Sequence, residues 1–214
     1  TAITGLIQGE YTLKHTDEDG CTYAEAPVIL EEPDPIVIVQ ASVSLPHSPY
    51  NISCYDASDG SITLDINGGH WYGGYDFDWE VLEGGSVIDT ALQNQDNLRA
   101  GTYSVSVYDI QGCSVSDTFE LIQPTQIMIA VETDSSLSGT TSLNCFGDNN
   151  GAIRVQASGG EGPYEYKWED GSSGQNRENL GAGNYTITVT DSIGCSVTDT
   201  IEITEPPPLK IDSM

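Results

Sequence analysis

Alternation of apolar and polar residues is the dominant pattern along this chain. SITLDI (61–66), YDFDW (75–79), TYSVSVYD (102–109) and SVSDTFELI (114–122) each put apolar side chains on one face of an extended segment. Later, IMIAV (127–131), AIRVQ (152–156), YEYKW (164–168), NYTITVT (184–190) and CSVTDTIEIT (195–204) repeat the pattern. A glycine-containing turn between TYSVSVYD and CSVSDT marks a hairpin. No stretch carries a helical period with caps. A short segment near Leu180 brings the expected number to six or seven strands per roughly 80–90 residues, the pattern of an immunoglobulin-like sandwich. The fold class is therefore all-β, and Tyr75, Phe77 and Trp79, like Tyr164, Tyr166 and Trp168, are expected on the core face of a strand.

The elements recur as a unit. NLRAGTYSVSVYDIQGCSVSDTFELIQP (97–124) is matched by NLGAGNYTITVTDSIGCSVTDTIEITEP (179–206), and more weakly by residues 5–33. The spacing from tyrosine to cysteine is 10 in all three copies, Tyr11/Cys21, Tyr103/Cys113 and Tyr185/Cys195. Upstream, CYDASDGSITLDINGG (54–69) parallels CFGDNNGAIRVQASGG (145–160). Proline-rich joints, EEPDP (31–35), QPTQ (123–126) and EPPP (205–208), each precede a short apolar run. The expected organisation is the C-terminal half of a repeat over 1–33, complete repeats over 34–124 and 125–206, and the start of another over 207–214. This is the pattern of immunoglobulin-like sandwiches in an elongated tandem array.

Composition narrows the partners. Six Lys+Arg against 33 Asp+Glu give a net charge of −27 across 214 residues. Nucleic acid binding requires a cationic footprint that is missing here, and anionic membrane surfaces repel such a chain. No apolar run of membrane-spanning length occurs, so membrane insertion is not expected. Nothing at the start has the form of a signal peptide, as in a mature protein or an internal fragment.

The motif C-x-G-x-x-x-G-x-I, followed by GG-x-x-PY-x-Y-x-W and NL-x-AG-x-Y-x-V-x-V-x-D-x-x-GC, resembles the SprB repeat of Bacteroidetes cell-surface proteins, which implies a sandwich related in shape to PKD-like domains. Cys145-Phe146-Gly147, Gly159-Gly160, Pro163-Tyr164, Trp168 and Gly194-Cys195 carry the likeness most closely. The middle repeat departs from it at Asp56, where the glycine is replaced, and at HWYGGY (70–75), which stands where the other has a Pro-Tyr loop. The resemblance implies a long surface adhesin, exported by type IX secretion, moved along the cell in gliding motility and associated with the outer membrane. Its partners would be neighbouring repeats, a surface polysaccharide, and the gliding and secretion machinery through other parts of the protein. A structural stalk is the leading functional expectation. A glycan- or surface-binding module, or the accessory stalk of a secreted hydrolase, is the alternative.

Five cysteines in an acidic, surface-type repeat chain point to disulfides rather than catalytic thiols. In an immunoglobulin-like order the first cysteine of a repeat lies at the end of the sandwich opposite its second. A strand of about 20 Å separates them, against the roughly 7 Å between Cα atoms that a disulfide allows. Head-to-tail stacking instead brings Cys54 to Cys195 across a joint, leaving Cys21, Cys113 and Cys145 for other repeats. Pairing inside each repeat, Cys54–Cys113 and Cys145–Cys195, remains the alternative.

Other candidates are weaker. Asp56, Asp59, Asp148, Asn150 and Asp191 offer oxygen ligands of the kind calcium takes, in turns near the joints, although Asp, Asn and Gly are also ordinary turn formers. No other cofactor is implied. His70, Trp71 and Tyr72 form an expanded loop suited to stacking on a sugar, or to folding back on its own sandwich. Thr90, Ser192, Thr200 and Ser213 follow aspartate and precede an apolar residue, resembling an O-glycosylation signal of Bacteroidetes secreted proteins. The three histidines lack ligand spacing, and no nucleophile, phosphate or zinc motif occurs, so no enzyme is expected.

Overall fold

A computed structural model describes residues 3–47, 49–70, 72–86, 88–133 and 142–210. Among these residues all sixteen elements are strands. The first four are short: β1 (Gly9–Tyr11), β2 (Lys14–Thr16), β3 (Thr22–Ala24) and β4 (Val28–Leu30). They pair antiparallel as β1 with β4 and β2 with β3, a hairpin folded about the turn at Asp17. Among the described residues no second sheet faces this hairpin, and Val28 and Ile29 remain exposed.

The middle of the chain forms β5 (Val37–Val43), β6 (Gly60–Asn67), β7 (Asp76–Gly84), β8 (Gln95–Leu98), β9 (Gly101–Tyr108) and β10 (Ser114–Leu121). Their order is β5-β6-β8 in one sheet and β10-β9-β7 in the other. The next six are β11 (Met128–Thr133), β12 (Gly151–Ser158), β13 (Glu165–Trp168), β14 (Asn176–Leu180), β15 (Gly183–Thr190) and β16 (Ser196–Ile203). They repeat the arrangement as β11-β12-β14 and β13-β15-β16. With strands lettered A, B, C, E, F and G in chain order, each set is an A-B-E sheet and a C-F-G sheet. This is an immunoglobulin-like sandwich.

Alternation explains why the sheets close on each other. In β9, Tyr103, Val105 and Val107 are buried, and in β15 so are Ile187 and Val189, while the hydroxyl residues between them lie on the other face. Trp79 on β7 and Trp168 on β13 are each 2 % exposed and sit at equivalent places in the two cores. Each indole N–H has a carbonyl partner, Leu92 at 2.8 Å and Gly174 at 2.9 Å, so the large ring is buried without stranding its polar edge. Tyr75, Phe77, Tyr164 and Tyr166 pack against the same cores but are only partly buried. Complete burial of one aliphatic side chain contributes about 1.5–3 kcal/mol, so each cluster is ample to hold its two sheets together.

Of the nine residues by which the middle repeat (34–124) exceeds the last (125–206), two follow Gly69 and seven fall between Trp79 and Leu98. There β7 runs on to Gly84, where its counterpart β13 ends at Trp168.

Candidate functional site at the joint between sandwiches

The joint is assembled from turns that an aspartate organises. At the F–G turn of the last sandwich, Asp191 is 5 % exposed, and its Oδ1 accepts the amides of Ile193 at 3.1 Å and Cys195 at 2.9 Å. Its Oδ2 accepts the amide of Glu161, tying the F–G turn to the B–C turn at 3.0 Å. Asp109 does the same in the middle sandwich, with Gln111, Cys113 and His70 as its three amide donors, each at 2.9 Å. The His70 amide is the main reason that the Asp109 carboxyl titrates below its ordinary value; burial opposes the shift, and the other two amides reinforce it. Asp17 accepts the amides of Asp19 and Cys21 in the first hairpin.

The incoming linker is strapped to the same place. Gly160 donates its amide to the Thr125 carbonyl at 3.0 Å, as Gly69 does to Asp34 at 2.6 Å. Gly159 has a φ of +73°, and a Cβ there would run into the Gln126 carbonyl oxygen. Only glycine lets the linker pass so close. Linker residues Ile36 and Ile127 are then buried, at 6 % and 7 % exposure.

The opposite end of each sandwich is fixed equally closely. Asn51 and Ile52 donate to the Ile122 carbonyl, as Ser142 and Leu143 do to Thr204. The Asp56 amide donates to Gln123 Oε1 at 2.8 Å, and the Gly147 amide to Glu205 Oε2 at 2.7 Å. Asp56 therefore performs the backbone role of Gly147, with φ of +61° against +81°. Its carboxylate also meets Arg99 at 2.6 Å.

Between these two ends lies the joint. Cys54, on the middle sandwich, is disulfide-bonded to Cys195 on the last, with Cα atoms 5.6 Å apart. Cys21, Cys113 and Cys145 are free and exposed, so the structure contains neither of the pairings inside a repeat. The Tyr50 hydroxyl, from the middle sandwich, donates to the Glu161 carboxylate on the last. This bond, foremost, raises the Tyr50 hydroxyl above the usual phenol range. A cavity of about 400 Å³ beside the disulfide is lined by Cys54, Tyr55, the linker 125–127 and residues 194–197.

The remaining candidates are scattered. Among the described residues no three Asp, Glu, His or Cys side chains come together as a metal site. Asp191 is committed to backbone amides, Asp59 accepts the Ser53 amide and Asp148 accepts the Cys145 amide. The Asn150 side chain reaches Asp148 only at 3.5 Å. His70 has its Nδ1 3.6 Å from Asp109, so this part of the loop folds back on its own sandwich. Tyr72 is 81 % exposed, and Trp71 lies outside the described residues. Thr90 is exposed in a turn. The Ser192 hydroxyl donates to the Glu161 carbonyl, while Thr200 faces Thr186 across the hairpin. Ser213 also lies outside the described residues.

One recurring contact was not anticipated. The hydroxyls of Tyr11, Tyr103 and Tyr185 each donate to the carbonyl four residues earlier, at Ile7, Arg99 and Gly181. This is the tyrosine corner of immunoglobulin-like folds. Its signal was present in the fixed spacing from tyrosine to cysteine.

The SprB repeat family model matches residues 48–81 and 138–173. Two segments of the chain thus match the SprB repeat. Both matches begin ahead of the first cysteine of a repeat and run through strand B, the first ending within strand C at Val81 and the second beyond strand C at Ser173. They therefore include Cys54 and Cys145, and they stop short of the F–G turn that holds Cys195. No curated protein matches the chain. Among solved structures, Drosophila OTK extracellular domains 3–5 are 16 % identical over 94 % of this chain and 72 % of that one, with a TM-score of 0.32. The eight N-terminal Ig domains of Down Syndrome Cell Adhesion Molecule are 12 % identical over 94 % of this chain, which spans 28 % of that one, with a TM-score of 0.41. A C-terminal intimin fragment, solved with the intimin-binding domain of its translocated receptor, is 16 % identical over 79 % of this chain and 64 % of that one, at a TM-score of 0.35. The sandwich assignment rests on the strand order above.

Proposed function

We propose that the chain is a spacer segment of a long cell-surface adhesin, in which SprB repeats fastened end to end carry an adhesive region away from the cell. The Cys54–Cys195 bond carries this reading, because it joins two folded sandwiches rather than stapling one. A disulfide of that kind suits an oxidising, extracellular address. The linker straps and the Tyr50–Glu161 contact act in the same sense, limiting the swing of one sandwich against the next. A net charge of −27 favours separation along an exposed fibre and keeps the array soluble. In the finer form of the proposal, the array belongs to a gliding-motility adhesin exported by type IX secretion and held at the outer membrane.

Small-angle scattering on the intact chain and on Cys54→Ser/Cys195→Ser tests the mechanical part. The oxidised chain is expected to keep one inter-repeat geometry, and the double variant to sample a broader distribution with a changed maximum dimension. Indistinguishable profiles would remove the spacer's stiffening device and the reading with it.

A further inference from the structure

The joint has an unfilled counterpart. Cys145, Phe146, Pro206 and Leu209 occupy the sequence positions that Cys54, Tyr55, Pro124 and Ile127 hold at the closed joint. Around them is a cavity of about 380 Å³, lined by Asn144, Cys145, Phe146, the three prolines 206–208 and Leu209. At the closed joint, Ile127 is 7 % exposed beneath the B–C turn and Cys195 is 8 % exposed. At the open one, Leu209 is fully exposed, Phe146 is 56 % exposed and the Cys145 thiol is free. The backbone that shapes this end is already set, since Gly147 and Glu205 repeat the bond between Asp56 and Gln123.

We infer that this surface is the docking site for the F–G turn of a further repeat of the same kind, and that Cys145 forms a disulfide with the cysteine of that turn. The occupant is defined by chemistry seen three times here: an aspartate holding two amides of a D-x-x-G-C turn, which presents the cysteine at its end. Where such a turn has no partner, at Cys21 and Cys113, the cysteine is exposed; where it is docked, at Cys195, it is buried. Leu209 supplies apolar surface for the incoming turns to cover, as Ile127 does at the closed joint, while Phe146 borders it as half-exposed Tyr55 does there. In the bond-forming step the two thiols pass two electrons and two protons to a low-molecular-weight disulfide, which leaves as two thiols. The inference rests on the end-to-end reading proposed above and extends it from one joint to a repeating one.

The test is an extended chain in which residues 37–124 are appended after residue 209, so that Leu209 stands at the place of Ile36 in the added repeat. Cys54→Ser is made in the appended copy and Cys113→Ser in the resident one, so that each linkage gives a distinct peptide. The chain is oxidised with glutathione disulfide, alkylated, digested without reduction and mapped. A peptide joining Cys145 to the appended turn cysteine is expected, together with the Cys54–Cys195 peptide and loss of Cys145 alkylation. A second chain instead appends residues 128–206 after residue 209, with Cys145→Ser in the added copy so that alkylated Cys145 reports only the resident thiol, guarding against misfolding of one added repeat. Alkylated Cys145 in both, with Cys54–Cys195 intact, overturns the inference alone. Loss of Cys54–Cys195 as well would overturn both it and the stapled array.

Discussion

Asn97 and Asn179 show how single residues set the course of the chain. They occupy equivalent places in β8 and β14 with φ of +57° and +59°, a left-handed conformation that asparagine tolerates and β-branched residues do not. Asn179→Val is therefore expected to lower unfolding free energy by about 1–2 kcal/mol, whereas Asn179→Gly should be nearly neutral. Urea denaturation of the two variants checks the contrast. Asp109 makes a different kind of demand. Its folded-state carboxyl titrates below the ordinary value, so the stability it contributes is present above that ordinary value. That contribution is lost as pH falls through the folded value. The acid limb of thermal stability should accordingly be shallower in Asp109→Asn than in the parent chain. Equal acid limbs in the two would show that the turn does not depend on the ionised carboxylate.

Elements were legible in the sequence to the degree that they obey local rules. Period-two alternation and the repeated Gly-Cys turns are enough to predict β9, β10, β15 and β16 and their hairpins, because pattern and turn chemistry agree there. The site was legible only where topology could be argued. A strand's length separates Cys54 from Cys113, but nothing in the composition shows that Asp191 spends its oxygens on three amides instead of a cation. Nor does it show that Glu161 reaches Tyr50 from 111 residues away. Such contacts arise from the apposition of turns distant in sequence, which local periodicity does not encode. The tyrosine corner lies between these cases, with a visible spacing and a geometric meaning. Its hydroxyl closes the E–F connection with one neutral hydrogen bond, so Tyr185→Phe should cost about 1 kcal/mol. The loss should fall on the last sandwich, read by the unfolding of its own Trp168, and leave the Cys54–Cys195 bond in place. A tenfold smaller loss would mean that water replaces the Gly181 contact without penalty.

Across the whole molecule, two fasteners of unlike chemistry hold one joint. The disulfide closes a sequence separation of 141 residues, and in the chain-entropy view a loop of that size restrains the unfolded ensemble by about 5 kcal/mol. Because the bond ties two separately cored sandwiches, its effect should appear as coupling between their unfolding as well as in the stability of either. The Tyr50–Glu161 bond is weaker and titrates. With the folded Tyr50 hydroxyl raised above the ordinary phenol value, its contribution is fully present below about pH 10 and disappears as pH rises through the folded value. The two fasteners lie at the same interface, so they should not act independently. With the disulfide intact, the turns stay apposed and loss of Tyr50 should change little. With it removed, the hydrogen bond becomes the principal link besides the strapped proline linker. A cycle of Tyr50→Phe, Cys54→Ser/Cys195→Ser and the combined variant, followed by scattering from neutral to strongly alkaline pH, measures the coupling. The disulfide-free chain should loosen with alkali, and it should stop responding once Tyr50 is phenylalanine. An alkaline response that persists in the combined variant would place the titrating group elsewhere and reduce the joint to its disulfide and linker.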